Sequence, residues 1–364
     1  MLVYLNRHRF EKQGILYLFR TKIGLKAMDS ISAKLRELVR ILAISSIGFA
    51  FAGLIFITIL ILKQVYELFY TKSTLGASPI IPGVPIAGTG LVFPLIIGWV
   101  CLFIIIIVHE FSHGIVARAH NIKVKSSGIV FIGPILGAFV EPDEKELKKR
   151  DDIQQYSVFA VAPIANIVFA GIAILVLMFI TAPLSEYASV PTGIKIDVQD
   201  SFPAKESGLK DEDIIVAINS IPTSDRNALF NITKDLKPGD QVTLSTKQRD
   251  FTFKAATDPK NTTHGYMGIT IKEEVREAKE GYSVMYPLLK WTHELFFWLF
   301  FISFNIGLIN LLPVYITDGA RMLLVSFERM FGKNGRKYWI LINNFCLLLV
   351  IILIFLPIIK KALT

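Results

Sequence analysis

Five long tracts without a charged residue constrain this chain more than any other feature. They run from Ile41 to Leu62, Leu91 to Val108, Tyr156 to Ser185, Leu295 to Thr317 and Tyr338 to Ile359. Each is at or near the roughly 20 apolar residues that a helix needs to cross the hydrocarbon core of a bilayer. The expected fold class is therefore a polytopic α-helical membrane protein with about five to six transmembrane helices. At 52% hydrophobic and only 19% charged residues, with a mean hydropathy of +0.52, the 364-residue chain excludes an ordinary water-soluble globule. The first tract begins after residue 40 and is too long for the apolar core of a cleaved signal peptide.

A net charge of +9 would fit a nucleic-acid partner if it were concentrated on one face, but its distribution points elsewhere. Residues 186–280 hold 13 Lys/Arg against 16 Asp/Glu, a net of −3 that leaves +12 for the remainder. Residues 1–40 carry Arg7, Arg9, Lys12, Arg20, Lys22, Lys26, Lys34, Arg36 and Arg40. The positive-inside rule then expects a basic cytoplasmic N-terminal segment over 1–40 and transmembrane helix 1 over 41–62. Alternation puts the basic stretches Lys123 to Arg150 and Arg321 to Lys337 inside as well, with residues 186–280 and the C-terminus outside. The expected partners are a lipid bilayer and no nucleic acid. Cys101 and Cys346 fall inside tracts and read as small buried apolar residues, with no disulfide framework.

Between the tracts, residues 20–40 place apolar residues at helical spacing among basic ones. They read either as a helix lying on an anionic leaflet or as a solvated helix leading into the first span. Ser73 to Gly90 is rich in Gly and Pro and reads as an irregular loop. Residues 126–140, SSGIVFIGPILGAFV, are apolar but too short to span and are broken by Gly128, Gly133, Pro134 and Gly137. They are expected to form a re-entrant β segment, because strand-like backbone at membrane depth survives only where protein or a wet cavity satisfies it. A hydrophobic hairpin at the interface is the alternative. Residues 190–272 change to period-2 runs such as IKIDV and QVTLST separated by turn signals, as a small folded β-rich domain would.

Chemistry enters at His109-Glu110-Phe111-Ser112-His113. On a helix, positions i and i+4 share a face, so both imidazoles reach one metal ion while Glu110 reaches a water beside it. Zinc lowers the pKa of a bound water toward neutrality and a carboxylate accepts its proton, which is metallohydrolase chemistry. Burying His-Glu-His beside a spanning helix is costly unless the groups have partners. His8, His120, His264 and His293 lack such a setting and read as surface or interfacial residues. A catalytic zinc usually takes a third protein ligand, and Asp318, in the segment Asn310-Leu-Leu-Pro313-Val-Tyr-Ile-Thr-Asp318-Gly319, reaches the same side of the membrane. Asp318-Gly319 also reads as a turn and helix cap for the run that follows.

HEFSH on one span with NLLPVYITDG on a later one resembles the site-2 protease family of intramembrane zinc metalloproteases, over residues 91 to 335. The resemblance implies a Zn2+ cofactor held by His109, His113 and Asp318, with Glu110 as the general base. It implies substrate contacts at Asn310 and Pro313, the latter at a broken helix end. Where the family commonly has Leu before the Asp and a second Gly after it, this chain has Thr317 and Ala320. GIVFIGPILGAFVEPDE resembles the family's re-entrant β segment, and APIANIVFA, with Pro163 and Asn166, resembles its third helix. Asn166 is a substrate or catalytic contact on that reading and an interhelical hydrogen bond in a packed bundle on the other. Residues 190–272 resemble the PDZ domains inserted outside the membrane in one branch of the family, with Asp211-Glu212 and Ser220 departing from the common pattern. The implied layout is a protease core over 91–185, one inserted PDZ-like α+β domain over 190–272, transmembrane helix 4 with the Asp-Gly segment over 286–335, and a last span over 338–359.

The resemblance implies a zinc metalloendopeptidase in a prokaryotic plasma membrane that cuts single-pass transmembrane substrates near the cytoplasmic face. The PDZ-like domain would gate access or bind a peptide C-terminus. A non-catalytic membrane adaptor presenting that domain is the alternative from a different class. A metal transporter would need more intramembrane acidic or His residues along a path than this chain has.

Overall fold

Apolar tracts of this length fold as helices because in lipid every backbone N–H and C=O must be satisfied within the segment. The computed structural model describes residues 11–13, 16–71, 76–77, 79–86, 91–132, 135–259 and 261–363. Among them five helices are long and apolar enough to cross a membrane: Arg36–Tyr70, Leu95–Ala119, Asp152–Tyr187, Met285–Leu311 and Asp318–Lys360. Each overlaps one of the five expected tracts. Ile41, Phe49, Ile55, Phe179 and Leu348 are more than half, or nearly half, exposed on these helices. Apolar surface of that extent is stable against lipid rather than water, and the chain is a multi-pass membrane protein.

Contacts divide the chain into two compact units, Met1–Leu177 with Glu294–Thr364, and Met178–His293. The first unit opens with β1 (Glu11–Gln13), β2 (Leu16–Thr21), α1 (Leu25–Lys34) and α2 (Arg36–Tyr70). It continues with α3 (Leu95–Ala119), β3 (Val124–Ile132), β4 (Ile135–Pro142) and α4 (Asp152–Val176). The strands form one antiparallel sheet in the order β1-β2-β3-β4. The segment expected to be strand-like over 126–140 is a hairpin, and it pairs with β2, a strand in the basic N-terminal segment for which no strand is expected. The helix expected from residue 20 begins at Leu25, because Arg20 and Thr21 belong to β2 and Gly24 turns the chain with φ 82°. Arg20 explains the pairing: it donates to Glu141 of β4 at 2.6 Å and to Glu11 of β1 at 2.8 Å, tying the sheet together across its face. Arg7, Arg9, Gly133, Pro134 and part of the Ser73 to Gly90 loop lie outside the described residues.

The helices pack through small residues. Ala43, Ser46, Ala50 and Leu54 form the buried face of α2, and Ala160, Ala162, Ala170 and Ala173 are buried on α4. Without a hydrophobic drive between helices in lipid, such close approach is what makes van der Waals contact dense. Leu25 and Met28 of α1 join Val116 and Ala117 of α3 and Val158 of α4 in a separate cluster, which seats α1 against the end of α3.

The second unit is α+β. Its strands are β5 (Ser189–Val198), β6 (Ile214–Ile218), β7 (Ile221–Pro222), β8 (Gln241–Thr246), β9 (Asp250–Lys254), β10 (Ala256–Thr257), β11 (Gly265–Tyr266) and β12 (Ile269–Ala278), with the helix α5 (Arg226–Thr233) between β7 and β8. The main sheet runs β12-β5-β6-β8-β9 with β7 beside β6, and all pairs are antiparallel. Ile194, Ile196, Ile215, Ile218 and Leu244 fill its core.

The first unit resumes within α6 (Met285–Leu311) and ends with α7 (Asp318–Phe331) and α8 (Gly335–Leu363). The fourth tract, expected to continue to Thr317, stops as a helix at Leu311. Pro313 has no N–H to donate and disfavours helical backbone at the residue before it. Cys101 and Cys346 are buried and free.

Candidate metal centre

The HEFSH stretch lies well inside α3, which continues to Ala119 rather than ending at Val108. His109 and His113 stand one turn apart with ring centroids 5.0 Å from one another. Asp318 is brought to them by the break after α6. Thr317 caps α7, its Oγ accepting the Ala320 N–H and donating to the carbonyls of Leu312 and Val314. Asp318 is therefore the first residue of α7 rather than its cap. Gly319 is required there: a Cβ would overlap the Leu311 carbonyl.

The Nε2 atoms of His109 and His113 lie 3.2 and 3.3 Å from Asp318 Oδ2. The three side chains are about nine-tenths buried, and Asp318 Oδ2 is a buried atom without a well-directed hydrogen bond. A buried carboxylate oxygen facing two imidazole nitrogens is well satisfied by a cation held between them. Zinc bonds of about 2.0–2.1 Å in a tetrahedron give ligand-to-ligand edges of about 3.3 Å, which these separations match. All three donor atoms fall within 4.8 Å of one another. Two imidazoles and one carboxylate are a donor set that fits zinc and leaves a fourth position open.

The far side of each ring supports this reading. His113 Nδ1 is 2.7 Å from the Val158 carbonyl, so Nδ1 carries the proton and Nε2 keeps its lone pair for a metal. His109 Nδ1 lies 3.2 Å from the side-chain amide of Asn166. The atom that faces it is Asn166 Nδ2, and Asn166 Oδ1 is buried without a partner; turning the amide over by 180° satisfies both, with Oδ1 accepting an Nδ1–H and Nε2 left for a metal. Val158 and Asn166 are two turns apart on one face of α4, so a single helix orients both ligands. The backbone carbonyl of Asn166 in turn accepts from Ser303 Oγ of α6 at 2.9 Å.

Glu110 points to the sheet. Its Oε2 accepts the Val140 N–H of β4 at 2.9 Å. His109, Glu110, His113 and Asp318 open into a cavity of about 570 Å³ that β4 walls with Phe139, Val140 and Glu141. Asn310 and Arg321 also line it; Asn310 donates its Nδ2 to the Ile306 carbonyl, and the Arg321 guanidinium lies 5.7 Å from the Phe159 ring. Of the sequence-derived site residues, Pro313 and Asn166 do not line this cavity. Pro313 marks the helix break, and Asn166 is fully buried behind His109. His120, expected from sequence as a surface or interfacial residue, is buried beyond the end of α3, where its Nε2 meets Ser157 Oγ at 2.9 Å. Sequence reasoning missed the two backbone contributors, Val140 and Val158; since every residue carries an N–H and a C=O, no residue type marks them.

The family model described as Peptidase family M50 matches residues 97–353. An uncharacterized protein of Methanocaldococcus jannaschii is 28% identical over 345 residues, covering 91% of this chain and 85% of its own length. A Clostridium acetobutylicum protein named "Putative zinc metalloprotease" is 22% identical over 311 residues, covering 66% of this chain and 89% of its own. The match spans both the helix that carries His109, Glu110 and His113 and the segment that carries Asp318, and the chain belongs to peptidase family M50, the site-2 protease family.

Proposed function

We propose that the protein is an intramembrane zinc metalloendopeptidase that hydrolyses peptide bonds within transmembrane segments of membrane-tethered substrates, near the cytoplasmic face. The observation that carries this reading is the convergence of His109, His113 and Asp318 beside Glu110 in a cavity between apolar helices. Zinc held there supplies Lewis acidity and lowers the pKa of a water. His113 and His109, fixed through Nδ1, present their Nε2 atoms as ligands. Glu110, anchored by Val140, is the group that accepts a proton from the attacking water and returns it to the leaving amine.

A substrate helix hides its peptide bonds in its own hydrogen bonds, so it must unwind before a carbonyl can be attacked. The outer edge of β4 offers replacement partners by strand addition, and Asn310 offers a side-chain amide. The hairpin Val124 to Pro142 acts as a re-entrant segment on this reading. The basic residues of 1–40 support a cytoplasmic N-terminus by the positive-inside rule, and on this reading the protein sits in a prokaryotic plasma membrane with the α+β unit outside as a PDZ-like gate or reader of a new C-terminus.

Glu110→Gln keeps all three ligands and removes the base. The purified full-length variant, with zinc stoichiometry measured by mass spectrometry of the metal, is expected to lose about 10²–10⁴-fold in cleavage of a single-span peptide. Undiminished cleavage at full zinc occupancy overturns the proposal. Stoichiometric zinc in a wild-type protein that hydrolyses no membrane-embedded peptide favours the adaptor instead.

A further inference from the structure

Resting on that reading, we propose that the outer edge of β4 is a ruler for the substrate: Leu136 and Ala138 offer the N–H groups that dock it, while the Val140 N–H is reserved to orient Glu110.

Successive residues of a strand turn their N–H and C=O groups to opposite sides. Two contacts tell which row of β4 faces which way. The Asp143 N–H donates back to the Lys123 carbonyl at 2.7 Å, on the β3 side. The Val140 N–H turns the other way, to Glu110 Oε2 at 2.9 Å. The β3–β4 register runs one to one from Ile135 to Glu141, so the alternation holds along β4 and puts Leu136, Ala138 and Pro142 in the outward row with Val140. Among the described residues β4 is the last strand of its sheet on this side.

This edge is closed at one end. Pro142 has no N–H, as is usual for proline on the solvent or ligand side of an edge strand. Val140 gives its N–H to a carboxylate, a charge-assisted bond roughly twice as strong as a neutral one. Leu136 and Ala138 remain as donors for an added strand. A substrate backbone docked at those two positions loses its ladder at Val140, beside Glu110 and the cavity that His109 and His113 line. A ladder extended by one more pair would need the same N–H that holds Glu110. Docking register and base orientation are therefore exclusive at Val140, which makes it a positioning residue through its backbone, and the cut falls where the ladder ends.

The test compares two edge prolines in purified, zinc-loaded, full-length enzyme, using a single-span synthetic peptide in detergent micelles whose helix contains a Gly-Pro destabilised segment. Val140→Pro deletes the donor to Glu110 and is expected to lower kcat about 100-fold, the scale of a misplaced catalytic group, with KM within about threefold and zinc content retained. Ala138→Pro deletes a docking donor and is expected to raise KM about tenfold, the scale of one hydrogen bond, with the smaller change in kcat. It also adds cut positions displaced along the substrate, read by mass spectrometry of the products. Val140→Ala keeps the N–H and is expected to recover most of kcat. Should Val140→Pro fail to fold, the α-hydroxy analogue of valine at position 140, which replaces N–H by an ester oxygen without a ring, carries the same expectation. Retained kcat in the position-140 variants, or both prolines changing the same parameter, overturns the ruler. Because Glu110→Gln reports on the protease reading itself, an inactive Glu110→Gln beside a fully active Val140→Pro sinks the ruler alone, whereas an active Glu110→Gln sinks the reading beneath it.

Discussion

Asp318 sits where three local constraints meet. Thr317 caps the helix it begins, Gly319 lies against the Leu311 carbonyl, and the Trp339 Nε1–H donates to the Ala320 carbonyl at 2.7 Å. Tyr315, from the break before Asp318, packs edge-on against the same indole and donates its hydroxyl to Asn344 Oδ1 at 2.6 Å. The position of Asp318 is thus set by backbone fit. Gly319→Ala forces the start of α7 away from Leu311 and moves the carboxylate off the edge it shares with the two imidazoles. We expect zinc affinity, measured by chelator competition, to fall about 10–100-fold, the effect typical of disturbing a ligand's support. Asp318→Asn keeps the shape and removes the charge, and its loss of affinity should exceed that of Gly319→Ala. Affinity equal to wild type in Asp318→Asn would remove Asp318 from the metal site. At this scale His109, Glu110 and His113 were legible as residue types with fixed spacing, whereas Asp318 read equally as a turn and helix cap until the family resemblance singled it out. Asn166 was visible as a polar residue in an apolar helix, but its role behind His109 depends on which helix α4 packs against.

At the scale of elements, the corner where α3 ends and α4 begins carries a pH dependence. His120, one residue past α3, is buried against Ser157, with Arg40 and Arg150 nearby. Burial first, and then the two guanidinium groups, hold its pKa below the ordinary imidazole value. The folded state then binds fewer protons than the unfolded state just below about pH 6.5. The stability from this site is complete above that pH and is lost as pH falls through the depressed folded value. The apparent Tm in detergent should drop between pH 7 and pH 5, and His120→Gln, which keeps a partner for Ser157, should flatten that drop. An unchanged slope in His120→Gln would rule out this histidine as its source. The four-stranded sheet is the element that sequence reading resolved least. β3 and β4 announced themselves as an apolar run too short to span, whereas β2 is six residues long among basic ones, and Arg20, which joins β2 to Glu141, reads in sequence as one more cytoplasmic charge.

For the whole molecule, the two units differ in what they need from their surroundings. The second buries its own core around Ile194, Ile196 and Leu244, and its first and last strands pair so that Ser189 lies directly opposite Ala278. The chain therefore enters and leaves that unit at neighbouring positions, and a short Gly-Ser linker can replace Ser189 to Ala278. If the unit gates substrate, the shortened protein keeps zinc and cuts a wider set of single-span peptides; if it is needed for stability, the shortened protein fails to accumulate in the membrane. Zinc content and a panel of peptides with and without bulky outer domains distinguish the two. Sequence alone pointed to the five apolar spans, to a separate β-rich unit and to His109, Glu110 and His113 as one chemical group, while Asp318 was singled out only through the family resemblance. The spans, the separate unit and the HEFSH group rest on composition, periodicity and spacing along the chain. Only the tertiary structure decided that β2 completes the sheet, that α4 orients both imidazoles and that a strand edge holds Glu110. These depend on backbone hydrogen bonds between segments far apart in sequence, and every residue carries the groups that make them.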